Sequence, residues 1–400
     1  MINLRRHTNI ALLYFFIVGL LGLFLRFFFV TPLQANFRFV VHAHSHIALL
    51  GWVYIALSTL IYKMYFTGER KEKRYLQIFI FTQVTLIGML FTFPFQGYAL
   101  FSIIFSTLFL FASYFLAWFV FRNIPPKYRQ TYSYRLIRMA LWFMVISSIG
   151  PWAISVVMVT LGSTSIWYKL SIYFYLHFQY NGWFILALTG ILIYLLENSN
   201  AIVNQKDFKR FFQLMVTSII LGFFLSVLWV EPPLIFYFLA GIGAVLQIFA
   251  FQQLFLIIKK NYGILKSTLK PLNLLLLKLV GIFLLVKILM QLLSSFPYFV
   301  NLTYNIIDFV VGYLHWVFLG VVSVSLFAFL DHFGLLRFSK KVFYVYLAGF
   351  LLSEALIFYK GTAIWLALPF QVNYFLILVI ISALIPIAVL SLLIGNLKSS

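Results

Sequence analysis

His42-Ala43-His44-Ser45-His46-Ile47-Ala48-Leu49-Leu50-Gly51-Trp52 places three of the chain's seven histidines within five residues, at the head of an apolar run that ends near Tyr62. An imidazole inside a membrane segment is costly unless it is hydrogen-bonded, ligated or in contact with water, so it marks a site to be explained. The stretch recurs twice. His46 is followed five residues on by Gly51 and Trp52, His177 by Gly182 and Trp183, and His315 by Gly320 and Val321. The other histidines, His7, His42, His44 and His332, have no glycine at that offset. Glycine is about one residue in twenty here, with 21 in 400, so three hits in seven exceed composition, although membrane helices use glycine freely.

Composition sets the class around that stretch. The chain is 64% hydrophobic and 9% charged. Apolar runs of about twenty residues recur from end to end, and runs of that length cross a bilayer as helices. A soluble domain is excluded. The net charge of +21 does not point to nucleic acid, because the basic residues cluster in short loops between the apolar runs, as topology signals do. There is no cysteine, which removes disulfides, iron–sulfur ligation and covalently attached haem from consideration. Met1-Ile2-Asn3-Leu4-Arg5-Arg6 resembles the start of a signal peptide. The run after it is about twenty residues long without a small-residue cleavage site, and is expected to be an uncleaved first helix.

Twelve helices are expected, near 9–30, 38–62, 75–95, 97–121, 138–161, 168–196, 210–230, 234–258, 272–294, 304–331, 341–360 and 367–393. Basic residues then alternate between the two sides. One side receives most of them, from Arg5 and Arg6 through Lys63, Arg70, Lys71, Lys73 and Arg74 to Arg337, Lys340 and Lys341; the other receives only Arg38, Lys169 and Lys360. Arg26, Lys278 and Lys287 fall within helices. This bias predicts both termini in the cytoplasm. All loops are short, so the expectation is one all-α polytopic membrane domain over residues 1–400.

On that topology His46, His177 and His315 lie on helices 2, 6 and 10, about 12–16 Å below one face of the bilayer at the usual helical rise. Four helices separate each from the next. A pseudo-threefold arrangement of four-helix units, roughly 1–137, 138–271 and 272–400, is the simplest account, and repeats often meet at a site. Each histidine has polar neighbours at helical spacing. His42 shares a face with His46, while His44 points largely away. Tyr173, His177, Tyr180 and Asn181 form a stripe. Asp308 and Gly312 line up with His315, and Glu354 is a second acid within the membrane. An acid near a ligating histidine can fix its tautomer. An isolated intramembrane histidine often does no more than bond a neighbouring helix. That account is favoured for His7, His44 and His332, which lie off the shared face or at the cytoplasmic surface, but one spacing at one depth on three helices is less well explained by it. Imidazoles converging from separate helices suit haem with two axial histidines, or a copper or other metal site of several imidazoles. Haem fits the aromatic surroundings better, in an apolar slot between helices.

Twelve helices, cytoplasmic termini, histidines on helices 2, 6 and 10 and a threefold plan resemble subunit I of the haem–copper oxidase superfamily, as in cytochrome c oxidase. The resemblance covers nearly the whole chain in topology and rests on short motifs. It implies His46, or His42, as one axial ligand of a low-spin b-type haem. It implies His315, in Leu314-His315-Trp316-Val317-Phe318-Leu319-Gly320, as the other. The family's His-Pro-Glu-Val-Tyr of helix 6 is matched by His177-Phe178-Gln179-Tyr180-Asn181, so His177 stands at the copper ligand, Gln179 at the acid, and Tyr180 one residue early. His44 is a further candidate metal ligand. Two features depart from the family. The adjacent histidines of its helix 7 have no counterpart in 210–230, and Tyr313 stands where it has a second histidine on helix 10. Tyrosine can ligate haem iron. The low-spin haem site is therefore expected to be retained and the copper and high-spin centre lost or rebuilt, in the manner of a divergent member such as the NnrS-type membrane proteins linked with nitric oxide.

These features imply electron transfer or O2/NO chemistry, an oxidoreductase activity left open, in a bacterial cytoplasmic (inner) membrane. The implied partners are the lipid bilayer, other membrane subunits, and a cytochrome or quinol as electron donor; no nucleic acid is expected. The alternative is a non-catalytic membrane subunit or a twelve-helix transporter, with the histidines packing or relaying protons. Transport predicts broken helices and a polar path across the membrane, and the inner halves of helices 2, 6 and 10 are almost wholly apolar.

Overall fold

A backbone N–H or C=O in hydrocarbon has no water to bond, so a spanning segment must close its hydrogen bonds on itself. The chain does this entirely with helices. The computed structural model describes residues 2–199 and 201–398. Among these residues it has no strand and twelve helices long and apolar enough to cross a membrane. In order, spans 1 to 12 are Leu4–Phe27, Phe37–Tyr65, Glu72–Gln96, Leu100–Asn123, Tyr132–Thr160, Ile166–Asn198, Gln205–Val230, Leu234–Lys260, Pro271–Leu293, Ile307–His332, Lys340–Trp365 and Tyr374–Leu397. All twelve expected helices are present.

The ends differ from the hydropathy boundaries for local reasons. Span 1 starts at Leu4 because Asn3 caps it, its side-chain oxygen accepting from the Arg6 N–H at 3.1 Å. The helix therefore runs through Arg5 and Arg6, whose long stems place their charge beyond the apolar part. Before span 10 the chain forms a separate short helix, Pro297–Asn305, with proline in its first turn, a position that proline's fixed φ favours. Ile306 then leaves the helical region, and the span begins at Ile307. Span 12 begins at Tyr374, later than the apolar run suggests. Ala367 and Asn373 both have positive φ, a conformation that breaks a right-handed helix.

The chain clusters into two compact units: Met1–Ile124 with Ser323–Ser400, and Pro125–Val322. One boundary falls in the loop between spans 4 and 5 and the other inside span 10. In unit 1, span 2 carries the core. The Trp52 indole N–H donates to Ser323 Oγ at 2.9 Å, and Phe15 stacks on the indole at 4.7 Å. In unit 2, span 6 has the same role: Trp183 and Phe184 are fully buried.

Spans 2, 6 and 10 stand apart from the rest. Their most apolar windows are 89%, 89% and 67% buried, against 28–50% for the other nine. The three histidine-bearing helices are therefore the most deeply buried of the twelve. Each interior span also changes from α- to π-helix at the residue after its histidine: Ile47–Tyr54 after His46, Phe178–Phe184 after His177, and Trp316–Ser323 after His315. This accounts for the spacing of five. In an α-helix five residues make about 1.4 turns and point elsewhere, but a π-helix closes i to i+5, so the glycine lies one turn from its histidine on the same face.

At two of these positions glycine is required by packing. A Cβ at Gly51 would lie 2.8 Å from Tyr14 of span 1, and one at Gly182 would lie 2.6 Å from the Phe143 Cβ of span 5. Gly182→Val is therefore expected to lower stability by about 1–3 kcal/mol through overpacking. Gly241→Ala, where nothing lies within 4 Å, is expected to leave stability unchanged or raise it by about 0.5–1 kcal/mol. Unfolding of the two purified variants in detergent, followed by tryptophan fluorescence, checks both.

Candidate functional site

In unit 1 the site is built on the first turns of span 2. His46 Nδ1 lies 2.8 Å from the His42 carbonyl oxygen, four residues earlier. A carbonyl only accepts, so Nδ1 carries the hydrogen and Nε2 keeps its lone pair. The Tyr98 hydroxyl, 3.1 Å from Nε2, is then the donor. Phe93 stacks on the His46 ring at 4.4 Å, and the edge of Tyr98 meets the His42 ring at 4.6 Å. The turn between spans 3 and 4 sets this wall. Gly97 has φ +60°, and a Cβ there would lie 2.4 Å from the Phe39 ring, so only glycine lets the turn close over span 2 and bring Tyr98 to the histidines.

His44 faces the other way, as its offset from His46 implies. Its Nδ1 lies 3.1 Å from the Val18 carbonyl of span 1 and therefore donates to it. Gly22 leaves room for the ring: a Cβ there would lie 3.0 Å from His44 Cε1. Near it, Arg26 of span 1 and Glu354 of span 11 lie within each other's electrostatic reach. Glu354 is 1% exposed. His7, expected at the surface, is instead 5% exposed and stacked on Phe79 at 3.6 Å.

In unit 2 the polar groups of span 6 form a directed chain. His177 Nε2 lies 2.8 Å from the Ile219 carbonyl of span 7. That carbonyl is available because span 7 tightens into 3-10 turns from Phe223, whose N–H bonds to later carbonyls. Nε2 therefore carries the hydrogen and Nδ1 accepts, from Asn181 Nδ2 at 3.3 Å. This fixes the amide, and its Oδ1 accepts from Lys287 Nζ at 2.5 Å. Tyr180 meets Tyr313 of span 10 edge to face at 6.2 Å. The stripe of His177, Tyr180 and Asn181 is thus assembled, with Gln179 buried beside it. On span 10, His315 is half-buried at the start of the π turn, Asp308 lies two turns earlier, and the Trp316 indole N–H donates to the Phe283 carbonyl at 2.9 Å.

The donor sets differ in what they can hold. His46 has the arrangement of an iron or metal ligand, with Nδ1–H anchored on a carbonyl and Nε2 basic; binding at Nε2 requires the Tyr98 hydroxyl to swing aside. His177 has both ring nitrogens in hydrogen bonds and offers no lone pair in this arrangement. Among the described residues no three histidine, aspartate or glutamate side chains gather as a metal-binding group. The His46 arrangement thus leaves one ring nitrogen open to a further ligand, whereas both ring nitrogens of His177 are engaged by protein groups.

Several partners could not be read from single-helix spacing: Tyr98, the Ile219 carbonyl, Lys287 and the Arg26–Glu354 pair all come from other helices. The last two left a trace in the sequence, as charges placed within apolar runs. No protein-family model matches the chain, and no characterised protein matches it in sequence.

Proposed function

We propose that the chain is a multi-pass membrane haem protein, a divergent relative of haem–copper oxidase subunit I, acting in electron transfer or in O2/NO chemistry. The observation that carries the reading is the recurrence on the three interior spans of a histidine followed at once by a π turn, since π turns inside α-helices mark functional sites. His46 is the ligand on which the reading chiefly rests, because its tautomer leaves Nε2 as an acceptor. His315 enters it through the helix-10 motif. The reading includes the pseudo-threefold plan, cytoplasmic termini and a bacterial cytoplasmic membrane, with a cytochrome or quinol supplying electrons. Haem would supply the redox couple or gas ligation. The protein's part is to fix the imidazole on the His42 carbonyl and to surround it with Phe93 and Tyr98. The hydrogen-bonded state of His177 favours the loss of the copper centre over its retention.

The test is a reduced-minus-oxidised visible spectrum with metal analysis on the detergent-purified chain. A low-spin haem spectrum at about one haem per chain is expected. It should be lost in His46→Ala and in His315→Ala, and kept in His177→Ala. A featureless spectrum from folded protein, or retention of the Soret band in both ligand variants, overturns the reading. Tyr98→Phe removes the hydroxyl that competes for Nε2. It is expected to tighten haem binding about fivefold, the worth of one ordinary hydrogen bond of about 1 kcal/mol, in a haem titration of the apoprotein.

One observation favours the alternative of a non-catalytic subunit or transporter: the closed chain from Lys287 through Asn181 and His177 to the Ile219 carbonyl. On that reading the histidines hold helices together or relay protons. His177→Ala leaves a buried carbonyl and an amide without their partner, and is expected to lower stability by about 1–3 kcal/mol. If the His46→Ala variant shows the same loss and the wild-type spectrum is blank, packing is the function of both.

A further inference from the structure

Span 2 opens with a regular helix, Phe37–His46, that carries His42 and His46 on one face. Side chains four residues apart on a helix are neighbours, with Cβ atoms about 5–6 Å apart. Two imidazoles so placed can hold one metal ion, as in the helical H-E-x-x-H arrangement. The contacts give this pair a direction. His46 is tied back to the His42 carbonyl through Nδ1, which leaves Nε2 as the lone-pair nitrogen. The His42 ring makes no hydrogen bond among the described residues; its neighbours are the rings of Tyr98 at 4.6 Å and Phe93 at 6.3 Å. Tyr98 therefore meets both histidines, with its hydroxyl 3.1 Å from His46 Nε2 and its ring against His42.

That 3.1 Å is also the separation of two ligands of one ion. Donors about 2.0–2.2 Å from a shared metal, at about 90–110° to each other, stand about 2.8–3.6 Å apart. The turn at Gly97, with φ +60°, sets Tyr98 at this distance. Imidazole suits copper, zinc and nickel, and copper(II) leads that series in affinity. We infer that His46 Nε2, Tyr98 Oη and the His42 ring form a site for a divalent transition-metal ion, copper(II) binding most tightly. The ion takes the place of the hydroxyl proton: the Tyr98 O–H bond breaks, a metal–oxygen bond forms, the proton leaves to solvent and the metal stays divalent. Arg38, four residues before His42, is exposed, where solvent and salt screen its charge. The site differs from a centre of three imidazoles, which the described residues do not assemble; its third donor is a phenol. Haem iron and this ion compete for the same Nε2. The site is therefore a property of the haem-free chain and does not rest on the haem reading.

The test is a copper(II) titration of the full-length chain, purified from haem-deficient cells and stripped with chelator, followed by visible absorption. Saturable binding with a phenolate-to-copper charge-transfer band is expected. The band should be kept in His44→Ala, whose ring bonds to span 1, and lost in Tyr98→Phe. Losing a ligand costs at least as much as losing an outer-shell partner, so His42→Ala is expected to weaken copper binding about tenfold or more. No band from folded wild type, a band kept in Tyr98→Phe, or unchanged affinity in His42→Ala each overturns the proposal; if His42→Ala does not fold, Tyr98→Phe carries the test. Tyr98→Phe moves the two readings in opposite directions, since it tightens haem and weakens copper. A blank haem spectrum beside a copper band overturns the haem reading alone.

Discussion

Everything in this protein follows from the absence of water around its backbone. Each helix must satisfy its own N–H and C=O groups, and a polar side chain placed inside finds its partner on a neighbouring carbonyl, in some places one that a local irregularity releases. The three π turns and the 3-10 end of span 7 are such irregularities. The last of these releases the Ile219 carbonyl, which holds His177. In span 2 the His42 carbonyl, within the regular helix, receives the His46 side chain four residues later.

The two histidines held in this way reach opposite chemical states. A carbonyl beside Nδ1 leaves His46 with a basic Nε2, whereas a carbonyl beside Nε2, with an amide beside Nδ1, leaves His177 saturated. Motif spacing treats them alike, since each precedes a glycine by five residues. Their chemistry is decided by which neighbouring helix offers an oxygen, and to which nitrogen. This is why a ligand role for His46 and a packing role for His177 are compatible within one repeated device.

The fold was largely legible in the sequence, because lipid imposes a single strong signal: about twenty apolar residues per crossing. Helix ends were less so, since Asn3, Gly97 and Asn373 act through caps and positive φ, not through hydropathy. The interior position of spans 2, 6 and 10 was signalled by their histidines. The π turns were present only as a spacing that an α-helix cannot use. Partners across helices were not legible. Tyr98 reaches His46 through a glycine turn 51 residues later, and Arg26 comes within the electrostatic reach of Glu354 from the far end of the chain.

The make-up of unit 1 bears on how the protein is made. Its first four spans leave the ribosome long before the segment from Ser323 onward. Until then Arg26 has no Glu354 within electrostatic reach, the Asn9 side-chain oxygen has no Asn396 amide to donate to it, and Trp52 has no Ser323. Unit 2, being contiguous, has its whole complement of spans first. Biosynthesis must therefore hold an incomplete unit, with an arginine inside a hydrophobic helix, through the translation of nearly two hundred residues.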